Sequence, residues 1–305
     1  MQKFLPFLQW LPNYKKTDFS KDLVAGLTVG VILIPQAMAY AMIAGLPPVY
    51  GLYASIFPLL LYVLLGTSKH LGVGPVAMDS LLVAAGLGTL AISGIENYIT
   101  FAIFLAFLVG VIQLTLGIFR MGFLVNFLSK PVISGFTSAA VLIIIFSQLK
   151  HLFGANIARS NKFHELVLNA FEKVSEINAY DFGIGIVGII IIVLLKKWSR
   201  KIPSILLVVV LGILAVRFLN LERFGVKIVG DIPTGLPTFQ VPQINWDAVL
   251  SMWPIALTLA LVGYLEAISI GKALQDKEGI ETIDANQELV ALGSSNIVGS
   301  FFQAY

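Results

Sequence analysis

A chain of 305 residues that is 57% hydrophobic and 12% charged lies outside the range of soluble domains, in which about a quarter of residues are charged. Its mean hydropathy of +0.89 is that of a polytopic membrane protein, and the absence of cysteine excludes disulfides, thiolate metal sites and cysteine nucleophiles. A net charge of +3 decides little, because the placement of the charges matters more than their sum.

The first twenty residues, MQKFLPFLQWLPNYKKTDFS, are amphipathic and broken by Pro6 and Pro12. They lack the apolar stretch and small-residue end of a cleavable signal. They read instead as a segment on the membrane surface, with Trp10 and Tyr14 at headgroup level. Nine spans follow, at about 23–44, 50–66, 75–92, 98–119, 128–149, 181–195, 202–219, 248–271 and 286–304, judged against roughly 30 Å of hydrocarbon. The first contains Pro35, which frees a backbone carbonyl, and Gln36, which can donate to a ligand or a facing helix. Its Gly26 and Gly30 form a GxxxG pair, expected to be a packing face.

The third span is short. It opens LGVGPVAMDSLL from Leu71, where Gly72 and Gly74 permit irregular backbone and Pro75 suits the first helical position. Such a helix sets its N-terminus inside the bilayer, and free N–H groups at the positive end of the dipole make a natural anion site. An ordinary span with a Gly-Pro start is the other reading. Asp79 lies one turn in. Because a carboxylate facing an anion site repels the substrate, Asp79 is expected to face protein and steady the helix end. If it faces the cavity, it becomes a second candidate for binding the coupling ion.

Loop 150–180 contains a periodic stretch from Phe163 to Val174 that predicts a short amphipathic helix. Loop 220–247, rich in proline and β-formers, predicts short extended segments that fold back. In the eighth span Glu266 stands about a turn and a half before Lys272. An ionisable group inside a span is a functional candidate by default, here for taking up and releasing a proton. The competing reading is a carboxylate bonded to a neighbouring helix. With the N-terminus inside, thirteen Lys and Arg fall on the cytoplasmic side and seven outside, which selects that orientation.

His70, His151 and His164 stand alone in predicted loops. No metalloprotease, nucleophile-elbow or phosphate-loop spacing occurs, so neither an enzyme, a metal, a redox cofactor nor a nucleic-acid partner is expected. The basic run KKWSRK at 196–201 reads as a topology and lipid-headgroup signal.

Several stretches together resemble the SulP family of sulfate permeases and related anion transporters. They are DLVAGLTVGVILIPQAMAYAMIAGLPPVYGLYASIFP at 22–58, SKHLGVGPVAMDSLL at 68–82, SKPVISGFTSAA at 129–140, LVGYLEAISIGKAL at 261–274 and NQELVALGSSNIVGSFFQAY at 286–305. The resemblance implies an all-α polytopic membrane protein, part of a seven-plus-seven inverted repeat with core and gate domains and a half-helix third span. Residues 1–305 would be a partial transmembrane domain, core-type over 23–119 and 248–305 and gate-type over 128–219.

The implied activity is secondary transport of an inorganic anion by an elevator-like motion, with the anion between facing half-helices of the third and tenth spans. Carried onto this sequence, the binding residues are Pro75, Val76, Ala77 and Met78, facing Gln36 and Tyr40. Glu266 matches the acidic position that family members associate with proton or sodium coupling, and a glutamate there favours protons. Proton-coupled uptake of sulfate, a related oxyanion or bicarbonate is expected, in a bacterial inner membrane and as a homodimer of the full-length protein. A nucleobase- or ascorbate-type carrier of the same fold and a passive anion channel are the alternatives. Family members continue beyond the stretch matching FFQAY into the tenth-span half-helix, four further spans and a soluble STAS domain. This chain is therefore expected to be a piece of a longer protein.

Overall fold

A computed structural model describes residues 5–68, 71–90, 92–127, 130–157, 163–199, 203–242, 246–278 and 283–305. Lys3, Lys69, His70, Arg159, Lys162, Arg200 and Lys201, which entered the readings above, lie outside the described residues. All regular structure among those described is helical. In chain order the helices are α1 (Phe7–Trp10), α2 (Lys16–Ala44), α3 (Val49–Ala54), α4 (Phe57–Leu65), α5 (Ala77–Gly88), α6 (Ile95–Ile118), α7 (Lys130–Phe153), α8 (Phe163–Glu172), α9 (Ala179–Trp198), α10 (Ser204–Phe218), α11 (Trp246–Glu278) and α12 (Ala285–Phe301). Four of them, α2, α6, α9 and the 248–271 part of α11, are long and apolar enough to cross a membrane.

The helices depart from the predicted spans where local chemistry intervenes. α2 starts at Lys16, seven residues before the first span was expected, with Asp18 Oδ2 accepting from the Lys15 backbone N–H at 3.2 Å. It ends at Gly45, whose φ of 88° is the left-handed conformation that glycine adopts without strain. The expected second span is broken in two between α3 and α4. Pro58, at the start of α4, has no N–H and its ring would clash with the carbonyl of Ala54 were the helix continuous. Gly26 and Gly30 are not a packing face among the described residues: a Cβ at either would meet nothing within 4 Å. Among the described residues, the expected extended segments of loop 220–247 form no strand ladder. A 3₁₀ turn over Leu221–Phe224 is followed by irregular chain, in which Pro233, Pro237 and Pro242 remove the donors a ladder needs. His151, expected in a loop, is in the last turn of α7.

The chain forms two compact units, residues 1–132 with 233–305, and residues 133–232. In the second unit α8 forms as expected, burying Leu166 and Ala170, but Phe163 and Phe171 of its predicted apolar face are exposed. Asn178 caps α9 by accepting from the Tyr180 backbone N–H at 2.9 Å. Val187, Ile190, Val193 and Leu194 are exposed along α9, an apolar outer face suited to lipid.

The first unit is built around α6, the most buried of the four long apolar helices. It crosses α12 at near backbone contact. A Cβ on Gly110 would lie 2.8 Å from the Gly293 carbonyl oxygen, and one on Gly293 would lie 2.4 Å from the Leu114 nitrogen. Only glycine on both sides allows that approach, the device by which small residues join helices where lipid offers no hydrophobic drive. Leu87, Leu105, Ile112, Met252 and Ala256 fill the adjoining core, while Tyr62, Tyr264, Ile268 and Leu289 fill a second cluster.

That second cluster contains polar groups with every partner made. Glu288, 1% exposed, accepts from Tyr62 Oη at 2.8 Å and from the Thr67 backbone N–H at 2.7 Å. The Thr67 hydroxyl also donates to it. Asp284 caps α12 by accepting from Asn286 N at 2.9 Å, and Tyr264 Oη donates to the Gly122 carbonyl at 2.7 Å. These bonds fasten the start of α12 to the end of α4, and α11 to the segment after α6.

Candidate functional site

Between the irregular segment 71–76 and helices α5, α6, α11 and α12 lies a cavity of about 170 Å³. It is smaller than the roughly 300–1,000 Å³ of sites for drug-sized ligands and suits a small ion with its water. Pro75 and Val76 line it, as does Glu266 from α11.

The helix does not begin where the sequence suggested. Val76, extended at φ −126° and ψ 154°, is the cap residue, and Ala77 rather than Pro75 is the first helical residue. The extended backbone of Val76, a region its β-branched side chain favours, delays the helix by two residues. Gly72 and Gly74 adopt no positive φ, and a Cβ at either would meet nothing within 4 Å. No side chain caps this end of α5. Its first N–H groups remain available beside the cavity.

Ala77 and Met78 belong to that first turn but are not among the lining residues, nor are Gln36 and Tyr40. Those two satisfy each other on α2, Gln36 Nε2 donating to Tyr40 Oη at 2.9 Å. Asp79 corrects the expectation that it faces protein: it lines the cavity, and its Oδ1 is buried with no hydrogen-bond partner among the described residues. Asp79 sits at the third helical position, where an acidic side chain can reach back to the cap residue's N–H, yet no such bond is made. Glu266 Oε2 is likewise buried and unpartnered.

Sequence reasoning missed two further polar groups of the wall. Gln113 on α6 donates through Nε2 to the Ala260 carbonyl at 3.1 Å and accepts from Asn296 Nδ2 at 2.9 Å. This chain ties α11, α6 and α12 together at the cavity and leaves each amide one N–H to spare. A glutamine in the middle of an apolar span was the available signal, since a buried amide in lipid demands a partner. Ser80 and Tyr305 close another side, with 3.2 Å between their hydroxyl oxygens. No Lys, Arg or His is among the lining residues described.

The sulfate permease family profile matches residues 19–305. The chain is 39% identical over 309 residues to the chloroplastic sulfate transporter 4.1 of Arabidopsis thaliana, covering 98% of this chain and 44% of that one. It is 35% identical over 345 residues to the sodium-independent sulfate anion transporter of Bos taurus, covering 100% and 55%. It is 34% identical to prestin of Danio rerio, covering 99% and 45%. The chain thus spans about half the length of the curated relatives it matches.

Among solved structures, the murine Solute Carrier 26 family member A9 anion transporter in its inward-facing state superimposes with a TM-score of 0.90 at 33% identity, covering 99% of this chain and 53% of that one. The transmembrane domain of a cyanobacterium bicarbonate transporter gives 0.79 at 24%, covering 95% and 74%, a likeness of fold alone. The fold class is the expected one: an all-helical multi-pass membrane fold, part of an inverted repeat with core and gate domains. In it the short α5 is the half-length third span.

Proposed function

Because the chain belongs to the sulfate permease family, we propose that it is part of a secondary active transporter that carries a small inorganic anion, sulfate or a related oxyanion or bicarbonate, together with protons. One observation carries this reading. The N-terminus of α5, which no side chain caps among the described residues, adjoins a small cavity whose wall includes a carboxylate, Glu266, and no basic side chain among the described residues.

The energetics of that arrangement favour coupling. A helix N-terminus stabilises an anion by about 0.3–2 kcal/mol. Two unit negative charges about 6 Å apart repel by about 3 kcal/mol at an effective dielectric near 20. The repulsion wins, so the anion binds well only when the carboxylate carries a proton. Proton and anion therefore load together and leave together. Val76, Ala77 and Met78 supply backbone N–H groups, and Pro75 shapes the approach. Gln36 and Tyr40 form the flanking part of the site, and the missing share comes from chain beyond this half-length piece. Residues 23–119 and 248–305 act as core-type segments and residues 128–219 as gate-type segments of an elevator-like transporter. The surplus of Lys and Arg on one side supports a cytoplasmic N-terminus; a bacterial inner membrane and a homodimer of the full-length protein complete the proposal.

Labelled sulfate uptake by the full-length protein in proteoliposomes tests this. An inward proton gradient accelerates uptake in the native protein, and Glu266→Gln reduces that acceleration at least about tenfold while sulfate binding remains measurable. Uptake that ignores the proton gradient sinks the symport reading and favours a passive channel.

A further inference from the structure

Glu266 is not alone in the cavity, and the second carboxylate is placed too well to be incidental. Gly263 lies one turn before Glu266 on the same face of α11. A Cβ there would stand 3.4 Å from Asp79 Oδ2 and 3.8 Å from Gln113 Nε2. The Asp79 carboxylate and the Gln113 amide thus converge over the bare backbone of Gly263, beside Glu266. Asp79 and Glu266 each have one buried oxygen with no hydrogen-bond partner among the described residues, and both line the same space.

Among the described residues, the groups around them offer no positive charge. Glu266 comes from α11, Gln113 from α6, Asn296 from α12, and Tyr305, bonded to Ser80, from the end of the chain. From α2, Tyr40 lies near Tyr305, and its hydroxyl is engaged by Gln36. A buried carboxylate that is ionised and unpaired is costly. Two of them side by side without a cation do not both ionise, but titrate as one coupled pair. A proton on either removes one of the two uncompensated charges.

We propose that Asp79 and Glu266 form a single proton-binding pair, with Asp79 the second proton carrier of the anion cycle. The inference rests on the anion–proton reading above and deepens it. In the empty site the pair shares one proton and keeps one negative charge. Anion binding at the start of α5 brings the second proton, which leaves with the anion on the other side. Each cycle therefore moves one proton per anion through the pair, and neither residue alone sets its pH response.

The test is the pH profile of sulfate affinity of the full-length protein, measured by calorimetry in sodium-free buffers of differing ionisation enthalpy so that protons taken up per sulfate are counted. Affinity in the native protein falls as pH rises, with about one proton taken up per sulfate. D79N never takes up more than one proton per sulfate, whereas native uptake rises toward two at alkaline pH, where the pair has lost both protons. E266Q keeps a weaker pH dependence carried by Asp79, and the double variant binds sulfate with no pH dependence across the carboxylate range. A D79N profile that superimposes on the native one, or an E266Q profile already flat, overturns the pair while leaving the symport reading intact. Native sulfate affinity with no pH dependence defeats the symport reading, and the pair falls with it. Should the variants fail to fold, native protein isotope-labelled at the aspartate carboxyl still decides. A carboxylic-acid infrared band that grows on sulfate addition and shifts with the label supports the pair, and no label-sensitive band overturns it.

Discussion

Glu288 and the cavity carboxylates Asp79 and Glu266 belong to one compact unit and meet burial in opposite ways. Glu288 is met by the Tyr62 hydroxyl and by the backbone and hydroxyl of Thr67, so both its oxygens have donors. Asp79 and Glu266 each keep an oxygen buried and unmatched, beside a cavity. A carboxylate with a full set of donors serves as a fastening, because removing either side of a bond leaves a buried polar group unsatisfied. One without donors is stable chiefly with a proton aboard, which makes it useful for carrying protons. The glycines divide in the same way. Gly110 and Gly293 are held by backbone a few ångströms away, while Gly72 and Gly74 at the cavity mouth have open space around them.

Four substitutions probe that division. Glu288→Ala strands the Tyr62 hydroxyl and the Thr67 N–H and is expected to cost about 3 kcal/mol or more, read as a lowered melting temperature in detergent. A melting temperature within a degree or so of native would remove Glu288 from its structural role. Gly293→Val drives a branched side chain into the Leu114 backbone and costs about 2–3 kcal/mol, measured the same way. Thr67→Val removes one hydroxyl donor to Glu288 while keeping the backbone N–H, for about 1 kcal/mol. Gly74→Ala, placed in open space at unstrained φ, changes stability by no more than about 0.5 kcal/mol; a larger loss would mean that the mouth is built as tightly as the α6–α12 crossing.

The membrane class, the half-length third span and Glu266 were legible because each is a local feature. A long apolar run, a Gly-Pro start and an isolated charge are read from neighbours in sequence. What the sequence concealed depends on residues far apart in the chain. Asp79, Gln113, Glu266 and Asn296 come from four helices, and only their convergence shows that two carboxylates share a space and that two amides bond to each other. Gly26 and Gly30 match a packing motif yet touch nothing nearby, whereas Gly110 and Gly293 match no such motif and are crowded. The need for glycine lies in what approaches it. The start of α5 fell between these cases. Pro75 was read as the first helical residue, and the extended backbone of Val76 moved that point to Ala77.

The most direct test of the account is the luminal pH of proteoliposomes containing the full-length protein, followed with a trapped indicator dye after sulfate is added outside without a pre-existing pH difference. The account predicts luminal acidification that tracks sulfate entry, slowed in E266Q and absent from the D79N/E266Q double variant. Sulfate entry at the native rate with the luminal pH unchanged would contradict it.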